Sequence, residues 1–262
     1  MKRPTSVPIP DQTAARMRRK GARAHPIDLD APENQERAID VRRWGIAGEN
    51  YYYSEKNPPY WHRAPGSIPE LYVREGICDR LLSVNERLAS LGYELFLFDA
   101  YRPLEVQNYF HDMWVPKYLR EKFPEWSSER VAEEVGKYWA KGAASLAEID
   151  PLSPPPHATG AVVDLTLREK ESGALLFMGS DFDEVSPISF VDHFENEGAR
   201  RQLTEDESLA ELNRRILYFA MTEAGFTVNP NEWWHFGVGD QLSAIVSGAP
   251  CAVYSVLNID AV

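Results

Sequence analysis

Only two of the 262 residues are cysteine, Cys78 and Cys251, so no disulfide framework holds this chain and thiolates alone cannot build a metal site in it. A reducing compartment is the default for such a sequence, and the expected location is cytoplasmic. Long apolar runs are also missing. Nothing approaches the roughly 18 residues of a membrane span, and the first 36 residues lack the apolar core of a secretory signal. Positive charge is the scarcer sign: 28 Lys and Arg stand against 40 Asp and Glu, giving a formal net charge of -12 and a pI of about 5.0. That balance disfavours nucleic acid and anionic membranes as partners. Internal repeats and low-complexity tracts are absent too.

What the chain has in quantity is apolar and aromatic surface. Hydrophobic residues make up 44% of it, with seven tryptophans, the composition of a folded globule. Residues 1–36, rich in Arg, Pro and Ala, read as a flexible leader; a transit-like or surface helix through Arg16, Arg18, Arg19, Lys20 and Arg23 is the alternative, weakened by Asp11, Asp28 and Asp30. Residues 37–262 contain no linker and read as one domain. Within that body, residues 38–44 alternate as a half-buried strand. Apolar positions at helical spacing run from residue 70 to Leu91, and Gly92 ends the pattern. Residues 50–64, with Tyr51, Tyr52, Tyr53, Tyr60 and Trp61, form an aromatic loop expected at a core edge, with the cover of a pocket as the alternative. Residues 93–98 (YELFLF) form a short buried strand. Two helices broken near Pro124 follow over 103–142, the second capped by Ser127 or Ser128. Thr204 and Glu207 have capping-box spacing ahead of a helix stopped by Gly225. Residues 175–183, 226–228, 233–238 and 252–256 read as further strands. Helices and strands do not alternate regularly, so an α+β fold with antiparallel pairing is expected, not a doubly wound sheet.

Chemistry concentrates in three stretches. The first, residues 154–167, reads PPPHATGAVVDLTL and sets His157 seven residues before Asp164, across a turn at Thr159-Gly160. The prolines stiffen the approach, Gly160 permits a sharp turn, and Asp164 lies in a β-prone run. Imidazole and carboxylate together suit a divalent cation, most commonly zinc; two polar residues flanking a turn is the plain alternative. The second stretch, NEWWHF at 231–236, shifts that balance. A zinc hydrolase needs three protein ligands, an open position for water, and a carboxylate outside the ligand set to take the water's proton. His157, Asp164 and His235 can supply the ligands and Glu232 the base. Flanked by Trp233 and Trp234, Glu232 is expected to be partly desolvated, as suits a general base. The third stretch, DAYRP at 99–103, ends a core strand. Arg102, fixed by Pro103, is placed to point into a cleft, where its fork of donors suits an oxyanion or a substrate carboxylate. A structural pair with Asp99 is the alternative. His111 lies within a helix and is not counted as a ligand.

In this order, FDAYRP (98–103), HATGAVVDLTL (157–167), MGSDFDE (178–184) and EWWHF (232–236) resemble the motifs of the D-alanyl-D-alanine dipeptidases, over about residues 37–241. The resemblance implies a central antiparallel sheet flanked by helices, of the hedgehog and DD-peptidase kind, with a zinc ion in each chain, a small dipeptide substrate and a cytoplasmic setting. It further implies that His157, Asp164 and His235 are the zinc ligands, Glu232 the general base and Arg102 the residue that steadies the tetrahedral intermediate. Asp183 matches the carboxylate that binds the substrate's amino group. Two positions depart from the family motif Ser-x-His-x-x-Gly-x-Ala-x-Asp: Pro155 replaces the Ser and Val162 the Ala. Neither removes a ligand, but the lost hydroxyl and the added bulk leave the preferred dipeptide open.

The expected reaction is therefore metal-assisted hydrolysis of dipeptides with a free amino terminus, D-Ala-D-Ala above all. A zinc D,D- or L,D-carboxypeptidase acting on longer cell-wall peptides is the alternative within the class. Non-haem iron(II) oxygenases also use two His and one carboxylate, but Glu232 beside a ligand and the lack of a close His-x-Asp pair argue against that chemistry. A catalytically silent zinc module is disfavoured by the presence of both Glu232 and Arg102. A homo-oligomer is compatible with each reading.

Overall fold

The computed structural model describes residues 6–139 and 141–259. In chain order the strands are β1 (Ala38–Asp40), β2 (Ala47–Gly48), β3 (Tyr72–Arg74), β4 (Tyr93–Asp99), β5 (Val162–Glu169), β6 (Thr227–Val228) and β7 (His235–Gly237). The helices are α1 (Thr13–Arg19), α2 (Glu75–Ala89), α3 (Leu104–Tyr109), α4 (Val115–Lys122), α5 (Ser128–Tyr138), α6 (His193–Gly198), α7 (Glu205–Glu223) and α8 (Gln241–Ser247). A single π turn, Phe110–Trp114, joins α3 to α4.

Apolar and β-branched runs decide the sheet. β5 is buried along Val162–Leu167, and such a strand must be covered on both faces. It sits at the centre of a five-stranded sheet of order β2-β4-β5-β7-β6. Every pairing is antiparallel except that of β2, which runs parallel to β4 at one edge. β1 and β3 form a separate antiparallel pair. The helical face Ile77, Cys78, Leu81, Val84 and Leu88 of α2 is buried, and α2 packs on β4 and on α7. The architecture is α+β, a largely antiparallel sheet flanked by helices. Ser127 caps α5 by accepting from the Arg130 amide, and Thr204 and Glu207 form the reciprocal capping box of α7.

Four segments depart from the expectations. Strand β1 stops at Asp40, whose carboxylate accepts from the Arg42 amide and turns residues 41–44 into a 3₁₀ turn closed by Gly45 at φ 82°. Residues 175–183 hold only a bridge from Leu175 to Arg168, and 252–256 only a bridge from Ala252 to Ile27, because neither segment finds a neighbouring strand to pair along its length. The segment expected as a flexible leader over 1–36 is, from Ile9 onward, laid against the body. Ile9, Ala15 and Ile27 are buried, and the Arg16 guanidinium grips Asp192 through bonds of 2.7 and 2.9 Å. That ion pair spans 176 positions, so nothing local in the sequence announces it.

Two buried groups fix the turn that carries His157. Arg74 donates to the carbonyls of Thr159 (2.8 Å), Asn34 (2.8 Å) and Ser255 (3.0 Å), tying the turn to both ends of the chain. Gly160 has φ 67°, and a Cβ there would collide with the Leu257 side chain. Gly160→Ala is therefore expected to cost about 1 to 3 kcal/mol of unfolding free energy, strain and overpacking together. Gly173→Ala, also at positive φ (73°) but with open space around it, should cost less. Urea unfolding of both variants checks the difference.

Candidate active site

Sheet register assembles the site. The β4–β5 ladder shifts between Leu97 and Asp99, so that Asp99 lies opposite Asp164. Asp164 in turn lies opposite His235 on β7. Cross-strand partners share a face of the sheet, and three chemically active residues are thereby set in a row across three strands. His157 arrives from the 3₁₀ turn Pro156–Thr159. Its Nδ1 donates to the Ala100 carbonyl at 2.8 Å, which leaves Nε2 facing Asp164 Oδ2 at 3.3 Å. A second partner at one ring nitrogen fixes the tautomer and the aim of the other.

His235 Nδ1 lies 3.1 Å from Asp164 Oδ1 and 3.4 Å from Glu232 Oε2. Ligand atoms of His157, Asp164 and His235 all fall within 4.8 Å of one another, and all three residues are buried. His157 Nε2, His235 Nε2 and Asp164 Oδ1 find no hydrogen-bond partner despite burial. Buried polar atoms are rarely left so, and a cluster of two imidazoles and a carboxylate with orphaned atoms fits a divalent cation of the zinc type. Burial would push the Asp164 carboxyl up, but the two flanking imidazoles outweigh it and hold that carboxyl far below its usual range. For His235, burial pulls the imidazole down, and the Asp164 carboxylate more than reverses this.

Arg102 follows the end of β4 and is buried. It donates from Nε to Asp99 (2.8 Å), from Nη2 to Asp164 (3.0 Å) and from Nη1 to Gln107 (3.2 Å). The rings of Tyr52 and Trp139 flank its guanidinium at 4.7 and 4.6 Å. Arg102 thus pairs with Asp99 and also lines the cleft. Glu232, in the loop before β7, accepts from Asn229 Nδ2 at 2.8 Å, which sets its carboxylate beside His235.

Asp183 lies in the loop after Phe182 at φ 58°, a backbone conformation that non-glycine residues seldom adopt. Its Oδ2 accepts from the hydroxyls of Tyr52 and Tyr60, the former at 2.7 Å. Enclosure by protein, and after it the charge of Asp164, pushes its carboxyl up to about 7. Arg102, His157, Asp164, Asp183, Glu232 and His235 line one cavity of about 380 Å³. His111 pairs with Asp112 away from it. Sequence reasoning left out Tyr52, Tyr60, Gln107, Trp139 and Asn229. The tyrosine-rich loop was visible as a composition, but its contact with Asp183 crosses more than 120 positions.

With this geometry in view, comparison with known proteins is specific. The family model Peptidase_M15, described as D-ala-D-ala dipeptidase, matches residues 73–252. A D-alanyl-D-alanine dipeptidase of Synechocystis sp. is 32% identical over 203 residues, covering 73% of this chain and 77% of that protein. One from Enterococcus faecium is 29% identical over 167 residues, 63% of this chain and 72% of that protein. Among solved structures, VanYB in complex with D-Alanine-D-Alanine aligns at 17% identity with a TM-score of 0.39, covering 80% of this chain and 95% of that one. By the extent of the family match and the identity to the cyanobacterial relative, this chain belongs to the D-Ala-D-Ala dipeptidase family of metallopeptidases, Peptidase_M15.

Proposed function

We propose that this chain is a zinc-dependent dipeptidase that hydrolyses small dipeptides with a free amino terminus, D-Ala-D-Ala first among them. The observation that carries the reading is the cavity itself: a His157, Asp164, His235 cluster with orphaned buried atoms, and Glu232 and Asp183 on the walls of the same small space. Zinc held by that cluster would supply Lewis acidity toward the scissile carbonyl and the attacking water.

The chain's own groups account for the remaining work. Glu232, held by Asn229, takes the proton of the attacking water and passes it to the leaving amine. Arg102 spends three of its five N–H groups on Asp99, Asp164 and Gln107. Two remain for the oxyanion, a type of contact worth about 3 kcal/mol in acyl transfer. The Tyr52 and Tyr60 rings and the Trp139 indole keep water from this side of the site. The ionised Asp183 carboxylate, fixed by its two tyrosines, receives the substrate's ammonium and sets the distance from amino terminus to scissile bond.

Three outcomes are expected. His235→Ala should remove stoichiometric zinc as read by elemental analysis; a variant that keeps a full equivalent means the ligand set is different. Glu232→Gln should retain its zinc while turnover falls about 10² to 10⁴-fold, and loss of the metal instead would make Glu232 a ligand. For Asp183, a carboxyl near 7 is neutral below that pH and anionic above it. Zinc at Asp164 would offset part of the upward push on that carboxyl, so affinity for the dipeptide ammonium should rise as pH climbs through a range between the ordinary carboxyl value and about 7, then decline as the substrate amine loses its proton near pH 8. Asp183→Asn should flatten the rising limb of 1/KM, and N-acetylated D-Ala-D-Ala should not be cleaved. Equal turnover of the acetylated and free dipeptides would point to a carboxypeptidase acting on longer peptides.

A further inference from the structure

Besides its acids, the cavity carries a set of cations from a part of the chain that precedes the family match at residues 73–252. Arg19, at the end of α1, Lys20 just beyond it and Arg23 in the following 3₁₀ turn all line the space that holds Asp164 and Asp183. We propose that this basic rim is the subsite for the free carboxylate of the dipeptide, so that the N-terminal segment reads the end of the substrate opposite to the amino group. The assignment rests on the dipeptidase reading given above.

Charge favours such a subsite, beyond what Arg102 and a zinc ion at Asp164 would offset. The cavity walls hold four carboxylates, Asp164, Asp183, Glu184 and Glu232, in a protein of net charge -12. Arg102 pairs with Asp164 and Lys122 lies 3.6 Å from Glu184, which leaves Asp183 and Glu232 without a Lys or Arg partner in an ion pair among the described residues. A substrate carboxylate entering among them meets repulsion unless a cation faces it. Arg102 is the other cation on those walls; three of its N–H groups are spent on Asp99, Asp164 and Gln107, and the remaining two serve the oxyanion in the reading above. Backbone donors are no substitute on the His157 side. Residues 154–156 are prolines without N–H groups, and Pro156 lines the cavity. Lys20 and the Arg23 N–H groups not spent on Ser153 supply what that wall lacks, with the charge of Arg19 beside them.

The rim is also held in place. Arg16, one turn before Arg19, is forked onto Asp192. The Arg23 guanidinium donates to Ser153 Oγ at 2.9 Å and to the Ser153 carbonyl at 2.6 Å, four positions before His157. Gln241 of α8 donates to the carbonyls of Arg23 (3.3 Å) and Leu152 (3.0 Å), tying the two segments together. Arg23 is thus tethered at the turn that delivers His157, whereas Asp183 is tethered to Tyr52 and Tyr60. The two charged ends of a zwitterionic dipeptide meet opposite charges on differently anchored walls.

The test compares D-Ala-D-Ala with its C-terminal amide, which keeps the ammonium and the scissile bond but loses the carboxylate charge. Wild-type protein should prefer the acid by about ten- to hundredfold in kcat/KM, the size of a lost charge-assisted contact. In the triple variant Arg19→Gln, Lys20→Gln, Arg23→Gln the acid should fall to the level of the amide, chiefly through KM. Arg23→Lys, which keeps the charge, should preserve most of the preference. Zinc content and the thermal midpoint, measured alongside, separate this loss from misfolding. If the triple variant keeps the preference, or loses acid and amide together while folded, the subsite is overturned and the dipeptidase reading stands. If wild-type protein cleaves neither compound, the dipeptidase reading itself fails.

Discussion

The Asp164 carboxylate sits at the join of three strands with almost no access to water, and the site is built around keeping its charge there. An isolated buried carboxylate costs several kcal/mol even after relaxation. Here His157, His235 and Arg102 converge on it within 3.0 to 3.3 Å, and together they overcome the penalty. Each converging group needs its own support. His157 leans on the Ala100 carbonyl, Arg102 on Asp99 and Gln107, and His235 on its register opposite Asp164. The bulge between Leu97 and Asp99 belongs to the same arrangement, since without that shift Asp99 would not stand opposite Asp164.

Around this charged centre the protein places aromatic rings. Tyr52 and Trp139 flank Arg102, Phe110 stacks on Trp139 at 4.8 Å, and Tyr60 packs on both Phe110 and Trp114. Rings exclude water, lower the local dielectric and so strengthen each polar contact they surround. The same enclosure acts in opposite directions on two acids. Asp164, with two imidazoles and the Arg102 guanidinium at its oxygens, is held ionised, whereas for Asp183 enclosure and the charge of Asp164 outweigh Arg102 and the two tyrosine hydroxyls and push it up to about 7. Environment alone separates the two carboxyl groups.

The N-terminal segment extends this logic to the outer wall. In a strongly acidic protein such a segment raises the local positive potential, and Arg19, Lys20 and Arg23 bring that charge to the cavity lining. Three attachments far apart in sequence hold that segment: Arg16 to Asp192, Arg23 to Ser153 and Ile27 to Ala252. None of the three is a long apolar run, which is why a reading based on hydrophobic pattern saw a mobile leader.

Local order was legible in the amino-acid sequence wherever a few neighbouring residues suffice to create it. The periodicity of α2, the capping box of α7, the buried strand ending in Asp99 and the turn–strand unit from His157 to Asp164 all show as patterns among neighbouring residues, although the strands themselves pair with distant ones. Motif chemistry likewise pointed to six of the residues that line the cavity: Arg102, His157, Asp164, Asp183, Glu232 and His235. The tertiary structure alone decided what those residues meet. Register sets Asp99, Asp164 and His235 in one row, loop folding lays two tyrosine hydroxyls on Asp183, and an ion pair across 176 positions draws the amino-terminal arginines to the rim. Each of these depends on a choice of partner among distant residues, and that choice is settled by the packing of the whole chain, which no local pattern encodes.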